Sequence, residues 1–297
     1  MKYFEVEFMI ETPQAVLDDV RDVLAAVVGE AGFESFEETA QGLKGYVQQT
    51  LFDRALLDES LSSFPFADAH ITYHVSEAED RDWNEQWEQE GFEPIVVGER
   101  CIIHDGRHFG TLPGGAADLE RFDIAIEIDA HLAFGTGTHE TTRMMVGHLL
   151  SLPLTGTRVL DCGCGTGILG IAALKGGAEE CVAYDIDEWS ADNARHNAVI
   201  NGVDHRFTSL LGDASLLATV EGSFDVVLAN INRNVLLADM PAFRTKLAPR
   251  GLLLLSGFYQ QDVAMLVQKA QSLGLELQHQ ASDGEWTLLA FKRTLFL

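Results

Sequence analysis

Two carboxylates and a run of glycines are the residues of this chain best placed to do chemistry together. Asp161-Cys162-Gly163-Cys164-Gly165-Thr166-Gly167 sets an acid ahead of three glycines at alternate positions, and Asp185 closes the stretch Cys181-Val182-Ala183-Tyr184. Glycines let the backbone turn tightly and lie against a ligand where a Cβ would clash. An acid at the end of the following strand accepts the ribose hydroxyls of an adenosine cofactor. The loop fits two templates. Gly165-Thr166-Gly167-Ile168-Leu169-Gly170 spells the dinucleotide pattern G-x-G-x-x-G, with Asp185 at about the expected 20 residues. Read from Asp161, the same stretch is an acid followed by G-x-G-x-G. A carboxylate at the strand mouth repels a pyrophosphate at the otherwise anion-friendly helix terminus. It welcomes S-adenosylmethionine, which brings a cationic sulfonium and an ammonium. Asp161, the glycine loop with Gly165, and Asp185 are therefore candidate contacts to that cofactor.

These residues need elements to hold them. Thr157-Arg158-Val159-Leu160-Asp161 reads as a strand and Ile168 to Lys175 as a helix, so the loop joins the first strand and helix of a doubly wound α/β sheet. The alternation continues. Glu188 to Asn201 is a helix capped by Asp187, and Phe207 to Leu211 is a strand leading into Gly212-Asp213, a position suited to an adenine amino group. Phe224 to Asn230 is a buried strand with Ile231-Asn232-Arg233 at its carboxyl end, where such sheets bind ligands. Helices over Leu236–Leu247 and Gln260–Leu273 flank a central strand, Leu252 to Ser256. Leu275–Gln280 and Trp286–Phe291 form a closing hairpin across Ser282-Asp283-Gly284. That hairpin departs from a plain dinucleotide fold and matches the seven-stranded sheet of methyltransferases.

With 297 residues, 46% of them hydrophobic, the chain can build one large or two smaller domains. No run approaches the roughly 18 apolar residues of a membrane-spanning helix. The start, Met1-Lys2-Tyr3-Phe4-Glu5-Val6-Glu7, has acids where a signal peptide needs an apolar core, so a cytoplasmic location is expected. Four cysteines, Cys101, Cys162, Cys164 and Cys181, suit reduced thiols, and no His/Cys cluster completes a metal site. A formal charge of −26 argues against direct nucleic-acid binding, since phosphate needs a basic face. It is compatible with a basic partner such as a ribosomal protein, and equally with general solubility.

Residues 1–76 read as a small α+β unit in the order βαββαβ, the ferredoxin-like pattern, with no visible chemistry. Residues 1–77 hold four Lys/Arg against fifteen Asp/Glu, which suits a recognition module for a basic protein as well as a solvated surface. Residues 77–92 read as a linker helix with Trp83 and Trp87 on one face. Residues 93–297 would be the catalytic domain, β-rich as far as Asp129 and then carrying the loop Leu132 to Thr142. Its glycines and hydroxyls before a helix suit a flap over a ligand, with Phe134 offering a flat face. His139 could serve as a base, though a single loop histidine is more often structural.

At this point the chain resembles the bacterial methyltransferases of the eleventh large-subunit ribosomal protein, the ribosomal protein methyltransferase A family. The resemblance rests on Ala133-Phe134-Gly135-Thr136-Gly137-Thr138-His139-Glu140-Thr141-Thr142, on Asp161 to Leu169, on Asp185-Ile186-Asp187 and on Ala229-Asn230-Ile231. It implies a class I S-adenosylmethionine-dependent methyltransferase with a small N-terminal domain. It also implies Thr142, Gly163, Asp185 and Asn230 as cofactor-binding positions, and lysine and N-terminal amines of the ribosomal protein as acceptors. The family usually has Asp-Pro-Gly before the flap, where this chain has Asp129-Ala130-His131. Asn232 stands where an aliphatic residue is commoner.

The acceptor amine must arrive neutral, yet no strong base marks the mouth of the strand ending at Asn230. Asn230 and nearby carbonyls are expected to orient cofactor and amine while water takes the proton; no catalytic residue is assigned. The chain is expected to act as a monomer. The alternatives are a methyltransferase with another substrate, a nicotinamide-dependent oxidoreductase, and a cofactor-binding scaffold without catalysis.

Overall fold

The computed structural model describes residues 3–13, 16–29, 32–39, 42–49, 52–62, 64–66, 69–77, 91–130 and 137–294. The chain divides into two compact units, Met1–Glu85 and Gln86–Leu297. Trp83, Trp87 and Phe134, with most of the expected linker helix, lie outside the described residues.

In the first unit β1 (Tyr3–Glu11), β2 (Phe33–Thr39), β3 (Gly42–Gln48) and β4 (His70–Glu77) form an antiparallel sheet in the order β2-β3-β1-β4. Along β1 the side chains alternate: Val6, Phe8 and Ile10 are buried, while Glu7, Met9 and Glu11 are exposed. Helices α1 (Leu17–Gly29) and α2 (Arg54–Ser62) accompany the sheet. Leu17, Val20, Leu24 and Val28 of α1 lie at helical spacing and fill the core with Leu57 of α2.

The second unit opens with a small sheet of β5 (Ile95–Val97), β6 (Cys101–His104) and β7 (Ile124–Glu127), β5 antiparallel and β7 parallel to β6. The main sheet has seven strands: β8 (Arg158–Cys162), β9 (Glu180–Asp185), β10 (Phe207–Leu211), β11 (Phe224–Asn230), β12 (Leu247–Tyr259), β13 (Leu275–Asp283) and β14 (Trp286–Arg293). Their order is β10-β9-β8-β11-β12-β14-β13; the first five run parallel, and β14 and β13 close the edge antiparallel. The sheet is therefore doubly wound, with the expected terminal hairpin. The order reverses between β8 and β9 on one side and β11 on the other, and ligands settle at such a switch point.

Helices α3 (Glu140–Leu150), α4 (Ile168–Lys175), α5 (Glu188–Ile200), α6 (Arg233–Lys246) and α7 (Val263–Ser272) complete the unit. Strand alternation divides the core in two. Val159, Cys181, Ala183 and Leu228 pack with α3, α4 and α5, whereas Leu160, Val182 and Val227 pack with α6 and α7. Each Leu, Ile or Phe so buried contributes about 1.5–3 kcal/mol. A one-residue slip would exchange the two faces, so this burial fixes the register. Seven of the eight residues of α4 are buried, as expected of a short helix covered all round.

Candidate active site

The glycine loop leaves β8 at the centre of the sheet. The amides of Gly163 and Cys164 both donate to the carbonyl of Tyr184, at 2.9 and 3.0 Å, which ties the loop to the neighbouring strand β9. Gly165 N donates to Asp185 Oδ2 at 2.9 Å, and Asp187 N donates to Asp185 Oδ1 at 3.1 Å. Asp185 is thus held by two backbone donors at the carboxyl end of β9, only partly buried. Asp187 then caps α5 through Ser190 N, as its sequence position suggests.

Two glycines answer to close approach. A Cβ on Gly163, whose φ is +69°, would stand 2.5 Å from Ile231 Cγ2, so this turn lies against the segment following β11. A Cβ on Gly170 would stand 2.6 Å from Cys181 Sγ and 2.8 Å from the Phe207 ring. Gly170 therefore lets α4 lie directly on β9 and β10, the packing role of the last glycine in such loops.

Asp161 departs from its expected place. It shares the strand face of Val159, points beneath α4 rather than out of the mouth, and is 1% exposed. Its Oδ2 accepts from Gly170 N at 3.0 Å, so it holds the first turn of α4 to the sheet, while Oδ1 has no partner. Burial drives its carboxyl up to about 7; the Gly170 hydrogen bond opposes this and the Asp185 charge adds to it. The cause is the two-residue strand period, which sends consecutive side chains to opposite faces.

Asn230 ends β11 at the mouth. Its Nδ2 donates to Thr142 Oγ1 at 3.4 Å, a long bond, and its Oδ1 is buried without a partner. Thr142 is 1% exposed, in the first turn of α3. Ile231 N donates to Ser256 O at 3.2 Å, which fixes the backbone just beyond Asn230. Asn232, unusual by the family pattern, is the N-cap of α6: its Oδ1 accepts from Val235 N at 3.1 Å.

His139 is the N-cap of α3, its Nδ1 accepting from Thr141 N at 3.2 Å. Its ring meets Trp286 edge-on at 4.7 Å, and Trp286 in turn lies 4.4 Å from Tyr259. This aromatic row escapes sequence reasoning, because Tyr259 ends β12 and Trp286 begins β14 with only the fold to join them. At the other side of the mouth Gly212 N donates to Asp185 O at 2.8 Å. Asp213 Oδ1 accepts from Ser215 N at 2.8 Å, and hydrogen bonding from the Ser215 side chain first, then from its backbone, holds the carboxyl below its ordinary range. Ile186 is 71% exposed next to Asp185, an apolar surface beside that carboxylate.

The structure thus brings Gly163, Gly165 and Asp185 into one hydrogen-bonded loop, joins Asn230 to Thr142, and sets Asp161 underneath. The set suits an adenosyl sulfonium: acceptors at Asp185, a close-packed glycine turn at Gly163, and an orphaned amide oxygen at Asn230.

The comparisons with known proteins agree. A family model described as Ribosomal protein L11 methyltransferase (PrmA) matches residues 10–294. A ribosomal protein L11 methyltransferase of Phocaeicola vulgatus is 44% identical over 291 residues, covering 98% of this chain and 99% of the relative. Its namesake in Porphyromonas gingivalis is 40% identical and covers 98% of each chain. Among solved structures, a ribosomal protein L11 methylase from Lactobacillus delbrueckii subsp. bulgaricus matches with a TM-score of 0.59 at 28% identity, covering 68% of this chain and 100% of that one. Family match, sheet order and glycine loop converge: the chain belongs to the ribosomal protein L11 methyltransferase family, S-adenosylmethionine-dependent enzymes built on the class I methyltransferase sheet.

Proposed function

We propose that this chain transfers methyl groups from S-adenosylmethionine to lysine side chains and the N-terminal amine of ribosomal protein L11. The names of relatives matched along nearly their whole length support the substrate. The observation that carries the chemistry is the buried, unpartnered Oδ1 of Asn230 beside Thr142. When bound, the cofactor supplies a methyl group on a cationic sulfonium, a carbon open to in-line displacement by a neutral amine.

The side chains then have distinct tasks. Asp185, with Gly163 and Gly165, holds the adenosine, and its carboxylate retains acceptor capacity for ribose hydroxyls beyond the two backbone donors. Asp161 acts from beneath, keeping α4 and therefore the loop in place. Thr142 steadies the amide of Asn230. Asn230 Oδ1 accepts an N–H of the entering amine and so turns its lone pair toward the methyl carbon, and alignment of this kind supplies much of the rate. An amide does not titrate near neutrality, so Asn230 orients without taking the proton, which passes to water.

The finer assignments follow from the same reading. Residues 1–76, with their ferredoxin-like strand order and acidic balance, grip the basic protein substrate; residues 77–92 link them to the catalytic domain, 93–297. The enzyme acts as a cytoplasmic monomer without touching nucleic acid directly; no helix among the described residues is long and apolar enough to cross a membrane.

The test is methyl transfer to L11 purified from a strain that lacks the modification, using a labelled methyl group. Label on lysine and N-terminal amines is the expected result. Tight cofactor binding with no label on L11 would assign the enzyme another substrate.

A further inference from the structure

Helix α5 starts just after Asp185 and carries Asn193 and Asn197, with Asn201 as its C-cap, each four residues from the next and so on one face. These amides meet the backbone that continues β7. Asn201 Oδ1 accepts from Glu127 N at 3.0 Å and its Nδ2 donates to Glu127 O at 2.6 Å. Asn197 Oδ1 accepts from Asp129 N at 3.0 Å, and Asn193 Nδ2 donates to Asp129 O at 2.9 Å. Four helical residues rise about 6 Å, close to the roughly 6.6 Å of two strand residues. The asparagines therefore act as the next strand would. They satisfy the edge of β7 that β6 leaves open, since β7 ends its sheet and Ile128 N already donates to His104 O on the β6 side.

Asn197 does more than its neighbours. Its Nδ2 donates to Thr166 O, inside the glycine loop, at 2.9 Å and to Asn193 Oδ1 at 3.1 Å. Asn197 and Thr166 are both fully buried. One amide thus ties the carbonyl between Gly165 and Gly167 to the backbone amide of Asp129. Deleting that amide would break both of these hydrogen bonds at once, one of them to a fully buried carbonyl.

We propose that Asn197 is a positioning residue for the cofactor: by joining Thr166 to Asp129 it holds the glycine loop in the shape that receives S-adenosylmethionine. This rests on the methyltransferase reading of the loop. Asn201, bonded to Glu127 and to the carbonyl of Asn197, supports the strand but touches no loop residue.

The experiment is calorimetric titration of the full chain with S-adenosylhomocysteine, alongside thermal melting, for the wild type, Asn197→Ala and Asn201→Ala. Both variants should melt lower, but only Asn197→Ala should bind the ligand about tenfold more weakly, the scale of one lost hydrogen bond to a buried group. Equal affinity in wild type and Asn197→Ala, or equal weakening in both variants, overturns the proposal. A wild type that does not bind at all overturns instead the cofactor reading beneath it. Should Asn197→Ala not fold, hydrogen exchange on the wild type decides: the ligand should slow exchange at the Asp129 amide, and an unchanged rate there overturns the proposal.

Discussion

Asn230 and Thr142, 88 residues apart, meet through a 3.4 Å hydrogen bond that orients the Asn230 amide and leaves its oxygen buried with nothing to accept. An unsatisfied buried acceptor costs about 1–3 kcal/mol, so the folded chain holds this oxygen ready at a cost that an incoming N–H relieves. Asn230→Ala should therefore lower kcat/KM by about tenfold or more, roughly 1.4 kcal/mol or above in the barrier, while the melting temperature hardly moves. Steady-state kinetics with L11 beside a melting curve checks both halves.

Asp185 should govern cofactor affinity. Its carboxylate already receives Gly165 N and Asp187 N, so Asp185→Ala should remove the proposed ribose acceptor and loosen the loop together. A lost charged-acceptor bond is worth about 1.5–3 kcal/mol, so binding of S-adenosylmethionine should weaken at least about tenfold. Calorimetry showing unchanged affinity would remove Asp185 from the site.

Asp161 sets a pH dependence of stability. Burial raises its carboxyl to about 7 in the folded chain, against about 3.9 in an unfolded one. Between these values the folded state keeps a proton that the unfolded state has released, so the Asp161 contribution to stability falls as pH rises through that window. Asp161→Asn should flatten the decline between about pH 4 and pH 7 relative to the wild type. Denaturant melts at several pH values read the slope directly.

Asn232 is a stability residue at the edge of the site. It caps α6 through Val235 N, and replacing such a cap with alanine costs about 0.5–2 kcal/mol. Asn232→Ala should lower the denaturation midpoint, and Asn232→Ser should recover most of the loss.

The two units should divide the labour. The proposed cofactor contacts fall within Thr142 to Asn230, so a chain beginning near Asp80 should still bind S-adenosylmethionine. It should lose methylation of L11, because nothing then places the amine against the methyl group. A shortened chain that methylates L11 at the full rate would reduce residues 1–76 to a stabilising role.

The parts of this protein set by near neighbours were legible in its sequence. Strand β8, its glycine loop and α4 follow one another within twenty residues, and Asp187 caps α5 from the adjoining position. Turn chemistry, capping and periodicity act over one or two turns of chain, so the doubly wound order and the closing hairpin could be read residue by residue. What tertiary structure decided was direction and company. Asp161 reads as a carboxylate at the mouth, yet the pleat turns it under α4; one residue of register separates the two outcomes. Asn197 reads as one polar helix residue among several until Asp129, 68 residues away, and Thr166, 31 residues away, close around it. Tyr259 and Trp286 become neighbours only because β14 lies beside β12. Contacts of that range are fixed by packing two sheet faces at once, and no local stretch of the chain carries that information.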